Sequence, residues 1–104
     1  MITITPTAAE QIRNSAKQGN MMGMPLRVAC TKNPDGSLHY ALGFDDQHRQ
    51  GDETYSSEGV DLVVAATSVP LLQGTIIDYV ELESGKFEII FMNPNDPNYQ
   101  PAGS

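Results

Sequence analysis

Cysteine is nearly absent from this chain of 104 residues: Cys30 is the only one. A single thiol excludes an internal disulfide framework. It also excludes a zinc or iron-sulfur site built within one chain from several thiolates, which is how such sites are usually held. Basic residues are scarce too. Six Lys+Arg stand against thirteen Asp+Glu, a formal net charge of −7. Contact with a phosphate backbone needs a basic face, so nucleic acid is not an expected partner. An acidic balance serves mainly solubility, and a partner with a basic surface is the more specific reading of it. Long apolar runs are missing, so no segment reaches the roughly 20 residues of a membrane-crossing helix. The opening Met1-Ile2-Thr3-Ile4-Thr5-Pro6 lacks the basic start and apolar stretch of a signal peptide, and the expected location is the cytoplasm.

Signatures of catalysis are missing as well. There is no P-loop and no G-x-G-x-x-G. No serine or cysteine stands in a nucleophile-elbow context. The two histidines, His39 and His48, have no evident nucleophile and orienting group to work with. No enzyme activity, catalytic residue or cofactor is expected. The length suits one domain with a core of its own, needing neither disulfide nor metal.

What the sequence does have is a clear hairpin from Leu26 to Phe44. Leu26, Val28 and Cys30 alternate with Arg27, Ala29 and Thr31, and Leu38, Tyr40, Leu42 and Phe44 alternate with His39, Ala41 and Gly43. Alternation of period two marks strands with one buried face, and it places Cys30 in the core as a small hydrophobe. Between the strands, Pro34 presets φ for a turn and Gly36 accepts the positive φ that closes it.

The remaining elements follow in order. Ile2 to Thr5 reads as a short strand. Thr5 then caps a helix that has Pro6 in its first turn, with Thr7 and Glu10 as an alternative capping box. Gly19-Asn20 ends it. Met21, Met22 and Met24 form a loop whose flexible side chains are expected to cover the core, as methionine commonly does. Asp45 to Glu53 is a polar, acidic loop. Its carboxylates do not fit a calcium loop: counted from Asp45 or Asp46, serine falls where the bidentate glutamate belongs. Thr54 to Ser56 and Val60 to Ala65 pair around Ser57-Glu58-Gly59. Thr67 or Ser68 caps a short helix with Pro70 in its first turn. Thr75 to Leu82 and Lys86 to Phe91 form the last hairpin. From Asn93 the chain is rich in proline and asparagine and is expected to be a flexible tail. The domain is thus 1–92 and the tail 93–104.

In this frame the chain resembles the A-type iron-sulfur carriers, the HesB/IscA/SufA-like family. Leu26-Arg27-Val28 followed by Leu38, Tyr40, Leu42 and Phe44 is similar to that family's central hairpin. Ile2 to Ala9, Gly51-Asp52 with Gly59-Val60 and Leu62 to Val64, Ser68 to Leu72, Gly74-Thr75 with Asp78 to Val80, and Asn93-Pro94-Asn95 are similar to its other segments, in order and at its spacing. The resemblance implies an α+β, mainly β fold: a compact HesB-like sandwich or half-barrel of short strands, with an N-terminal helix and a short second helix. It also implies where cluster ligands belong. The family's hairpin-tip cysteine falls on Asp35, and its Cys-Gly-Cys segment falls on Gln100, Pro101 and Ala102. Alanine offers no ligand, and one carboxylate with one amide does not replace three soft, charged thiolates.

The chain looks like the cysteine-lacking branch of the family, the DsrR-like proteins, found with dissimilatory sulfur-oxidation genes. That resemblance implies an accessory or regulatory protein that binds a protein partner, as a monomer or weak homo-oligomer. The candidate interaction residues are Asp35 at the tip, then Asp45, Asp46, His48, Asp52 and Glu53 in the acidic loop, and Asn95 and Tyr99 in the tail. The alternative is a weak iron or metal delivery protein using carboxylate and histidine ligands such as Asp35, Asp45, Asp46 and His48.

Overall fold

The computed structural model describes residues 2–47 and 49–97. Strand β1 is Thr3–Ile4 and helix α1 is Pro6–Gln18. The helix starts at Thr5, not at the alternative box. The Thr5 hydroxyl accepts from the Ala8 N–H at 3.2 Å, and Pro6 occupies the first turn, where its missing N–H leaves nothing unpaired. The end of α1 is a Schellman motif. Met21 N–H donates to the Ala16 carbonyl at 2.7 Å, Asn20 N–H donates to the Lys17 carbonyl at 3.2 Å, and Asn20 takes a φ of +57°. One face of the helix, Ala8, Ala9, Ile12 and Ala16, is buried.

Strands β2 (Leu26–Lys32) and β3 (Leu38–Phe44) pair antiparallel, from Leu26 opposite Phe44 to Lys32 opposite Leu38. Strands β4 (Glu53–Ser57) and β5 (Val60–Val64) form the next hairpin. Strand β5 lies parallel to β2, with Leu26 opposite Leu62 and Val28 opposite Val64. The short helix α2 (Val69–Leu72) leads to β6 (Ile76–Glu83) and β7 (Lys86–Met92), which pair antiparallel, while β1 runs parallel to β6. The result is a four-stranded sheet, β3-β2-β5-β4, and a three-stranded sheet, β1-β6-β7. The arrangement agrees with the expected compact sandwich or half-barrel of short strands, and the sheets are not closed.

Val28, Leu62, Val64, Leu72 and Ile77 are fully buried, with Ile2, Ile4 and the apolar face of α1 in the same core. The Ser57 hydroxyl links the two sheets, accepting from Ile4 N–H at 2.9 Å.

Two local expectations change. Ser68 sits at the cap position of α2 but caps nothing. Its hydroxyl accepts from Cys30 N–H at 3.0 Å and donates to the Cys30 carbonyl at 3.1 Å, beyond the point where β5 stops pairing with β2. A buried backbone edge needs partners more than one exposed turn of helix needs a cap. Met22 and Met24 are exposed rather than laid over the core.

Candidate functional site

The tip of the β2–β3 hairpin is a type I turn. Gly36 N–H donates to the Asn33 carbonyl at 2.9 Å, and Gly36 has a φ of +89°, a conformation that glycine adopts without strain. Asp35 is exposed there, but it is occupied with its own turn. Its Oδ1 accepts from the Ser37 hydroxyl at 2.6 Å and from Ser37 N–H at 3.0 Å, which hold its carboxyl below the usual carboxylate range.

The chain exit after β7 is a polar junction on a fully buried asparagine, Asn93. Its Nδ2 donates to the Leu71 carbonyl at 2.8 Å and to the Tyr40 hydroxyl at 3.2 Å, and its Oδ1 accepts from Asn95 N–H at 2.9 Å. Asn95 Nδ2 donates to the Gln73 carbonyl at 2.8 Å. The Tyr40 hydroxyl donates to Asp96 Oδ2 at 2.7 Å, while its ring stacks on Phe91 at 4.3 Å. Burial, and then the Asp96 carboxylate, push the Tyr40 hydroxyl pKa above the ordinary tyrosine range. The segment expected as a tail therefore begins, over Asn93 to Asp96, as a hydrogen-bonded turn tied to β3 and to the end of α2. Asn95 is exposed, but its amide is spent inside this junction. Tyr99, Gln100 and Ala102 lie outside the described residues, as does His48.

The acidic loop is not a row of free carboxylates. Arg27, pointing out of β2, gathers it. Arg27 Nε donates to Asp45 Oδ2 at 2.9 Å, Nη2 donates to Asp52 Oδ2 at 2.8 Å, and Nη2 also donates to the Gln47 carbonyl at 2.8 Å. The Asp52 side chain is only 2% exposed. Asp45 also accepts from Gln47 N–H, and that bond, then Arg27, holds its carboxyl below the usual range. The structure thus places Asp45 and Asp52 in an ion-pair cluster with Arg27, while Asp46 and Glu53 are exposed. The bidentate geometry explains why an arginine stands here: its planar fork matches two carboxylates and a carbonyl at once.

Cys30 is 2% exposed, with its thiol pushed up by burial, the opposite of the environment that makes a thiolate ligand or nucleophile. Among the described residues no group of three His, Cys, Asp or Glu side chains could hold a metal ion. Nor is any helix among them long and apolar enough to cross a membrane.

Sequence analysis named Arg27, Tyr40 and Asn93 only as parts of family-like segments, and gave neither them nor Asp96 a role in organising these two clusters. Two signals were present: an arginine on an outward strand position, opposite Gly43 at the entry to the acidic loop, and a phenol on an inward position, where its hydroxyl must find a partner.

Comparison with known proteins agrees with the fold. A model of the iron-sulphur cluster biosynthesis family matches residues 1–99. The iron-sulfur cluster insertion protein ErpA of Erwinia tasmaniensis is 36% identical over 104 residues, covering 99% of this chain and 90% of the relative. A crystal structure of IscA with the [2Fe-2S] cluster superposes with a TM-score of 0.75 at 26% identity, covering 90% of this chain and 86% of the other. The crystal structure of SufA from Escherichia coli gives 0.74 at 26% identity, covering 98% and 88%.

Proposed function

We propose, since the chain belongs to the iron-sulphur cluster biosynthesis family, that it uses the family scaffold as a non-enzymatic accessory or regulatory protein. It acts by binding a protein partner and carries no cluster of its own. The observation that carries this reading is the state of its one thiol. Cys30 is enclosed in the core on β2 and its pKa is raised, so no soft, charged donor reaches the surface. The positions where the resemblance places the family's cysteines carry Asp35, Gln100 and Ala102. Asp35 has its Oδ1 turned onto Ser37. The resemblance to the cysteine-lacking DsrR-like branch connects this role with dissimilatory sulfur oxidation in the cytoplasm.

The metal-delivery alternative finds little support. Of the ligands it would draw on, Asp45 is already paired with Arg27 and Asp35 accepts from the Ser37 hydroxyl.

The test is genetic and biochemical together. Deletion of the gene is expected to disturb sulfur oxidation, and affinity capture from the native organism is expected to return one specific partner whose recovery survives iron chelation. No phenotype together with no specific partner would remove the proposal. So would a partner retained only when iron is supplied.

A further inference from the structure

The β6–β7 hairpin has a face that the core does not use. Ile77, Tyr79, Ile89 and Phe91 point into the sandwich and pack in or against the core. The alternating residues point the other way. Ile76 stands opposite Met92, and Val80 lies further along β6 on the same side as Ile90 of β7. None of these four joins the core, and Ile76 is 40% exposed. The hairpin also overhangs the sandwich. A register irregularity between Glu81 and Glu83 releases Leu82, which is 57% exposed, and across the strand pair Phe87 is 51% exposed despite its stacking on Tyr79 at 5.6 Å. These two are among the most exposed large apolar side chains among the described residues, and they sit on one hairpin end.

The charge around this apolar face is one-sided. The hairpin carries Asp78, Glu81, Glu83 and Glu88 against a single lysine, Lys86, which lies 3.6 Å from Glu83. Asp78 accepts from the Thr5 hydroxyl, whereas the three glutamates are exposed. By register Phe87 shares a side with Tyr79 and Ile89, not with Ile76 and Val80, so the exposed apolar groups lie on both sides of the hairpin; exposed apolar groups with a charged rim have the form of a protein contact surface. The sign of the rim then selects among occupants. A second copy would bring the same glutamates and another net charge of −7, and nucleic acid would bring phosphates; both are repelled.

We propose that the outward face and overhanging end of the β6–β7 hairpin dock a protein partner whose contact patch is apolar at its centre and rimmed by lysine or arginine. The proposal rests on the protein-binding reading above and moves the contact away from the hairpin tip, the acidic loop and the tail. Leu82 and Phe87 supply the apolar anchors, and Glu81, Glu83 and Glu88 orient the partner.

A synthetic strand peptide of alternating leucine and lysine serves as the probe, titrated into the isotope-labelled protein and followed by amide chemical shifts. Shift changes are expected on Ile76 to Glu83 and Lys86 to Met92. Leu82→Ser with Phe87→Ser should weaken binding by about tenfold or more. Glu81→Gln, Glu83→Gln and Glu88→Gln together should weaken it comparably and flatten its dependence on salt. These glutamates are exposed, so the charge variants decide the matter even if the apolar pair disturbs folding. Absent binding, shifts centred on residues 45–53, or unchanged affinity in the charge variants would overturn the proposal. So would self-association of the wild type that Leu82→Ser and Phe87→Ser abolish, since the face would then belong to a second copy. The readout involves no iron, so a cluster taken up by the protein would defeat the proposed function and leave this map to be judged separately.

Discussion

The Ser68 hydroxyl acts as one rung of a β-ladder, serving both the N–H and the carbonyl of Cys30 from a position 2% exposed. Ser68→Ala would leave two buried backbone groups unpaired. It is expected to cost about 1–3 kcal/mol, seen as a lower urea midpoint with an unchanged m-value. An unchanged midpoint would show the rung to be dispensable. Arg27 is the second residue whose loss would be felt widely, because it holds Asp45, Asp52 and the Gln47 carbonyl together. The pH dependence follows from Asp45. Its folded-state carboxyl is depressed, so the stability it contributes is present above the ordinary carboxylate pKa of about 4 and is lost as pH falls through the lower folded value. Urea midpoints are expected to hold between neutral pH and about 5, then fall below about 4. Asp45→Asn is expected to be less stable at neutral pH and to show a shallower acid-side fall. Parallel profiles for the two proteins would contradict this account of the loop.

At the scale of elements, local chemistry carried most of the information. Thr5-Pro6 starts α1 and Asn20 closes it, since a cap and a left-handed residue are properties of a few neighbouring side chains. All three hairpins were legible from alternation and turn residues for the same reason. The β4–β5 turn shows the limit. Glu58 and Gly59 both take positive φ, +52° and +77°, as a two-residue hairpin of this twist requires. Glutamate is strained there, and the Arg13 guanidinium donates to the Glu58 carbonyl at 2.8 Å. Glu58→Asn keeps the backbone and relieves the strain. It is expected to raise stability by roughly 0.5–1 kcal/mol in thermal or urea unfolding. A loss of stability would mean that the glutamate side chain contributes something the turn geometry does not reveal. What the sequence could not disclose were contacts between elements distant in the chain. Ser68 with Cys30, Tyr40 with Asn93 and Asp96, and Arg27 with its loop each join residues 18 to 56 positions apart. Such pairings depend on how the sheets pack, which no local window contains.

For the molecule as a whole, the fold was the readable part, because the seven strands and two helices among the described residues, in family order, admit few arrangements. The candidate site rests on the residues at the positions where the resemblance places the family's cysteines, of which only Asp35 lies among the described residues. Its geometry adds that the hairpin tip and the chain exit remain well built: a closed Asp35 turn, and a buried Asn93 junction with Tyr40 stacked on Phe91. A scaffold kept in order while its thiol is enclosed in the core suits a protein that is recognised and not loaded. Anaerobic iron-sulfur reconstitution of the purified chain, followed by visible absorption and iron analysis, tests that claim most directly. A colourless protein without stoichiometric iron is the predicted result. A stoichiometric cluster or bound iron would contradict it and return the chain to the carriers.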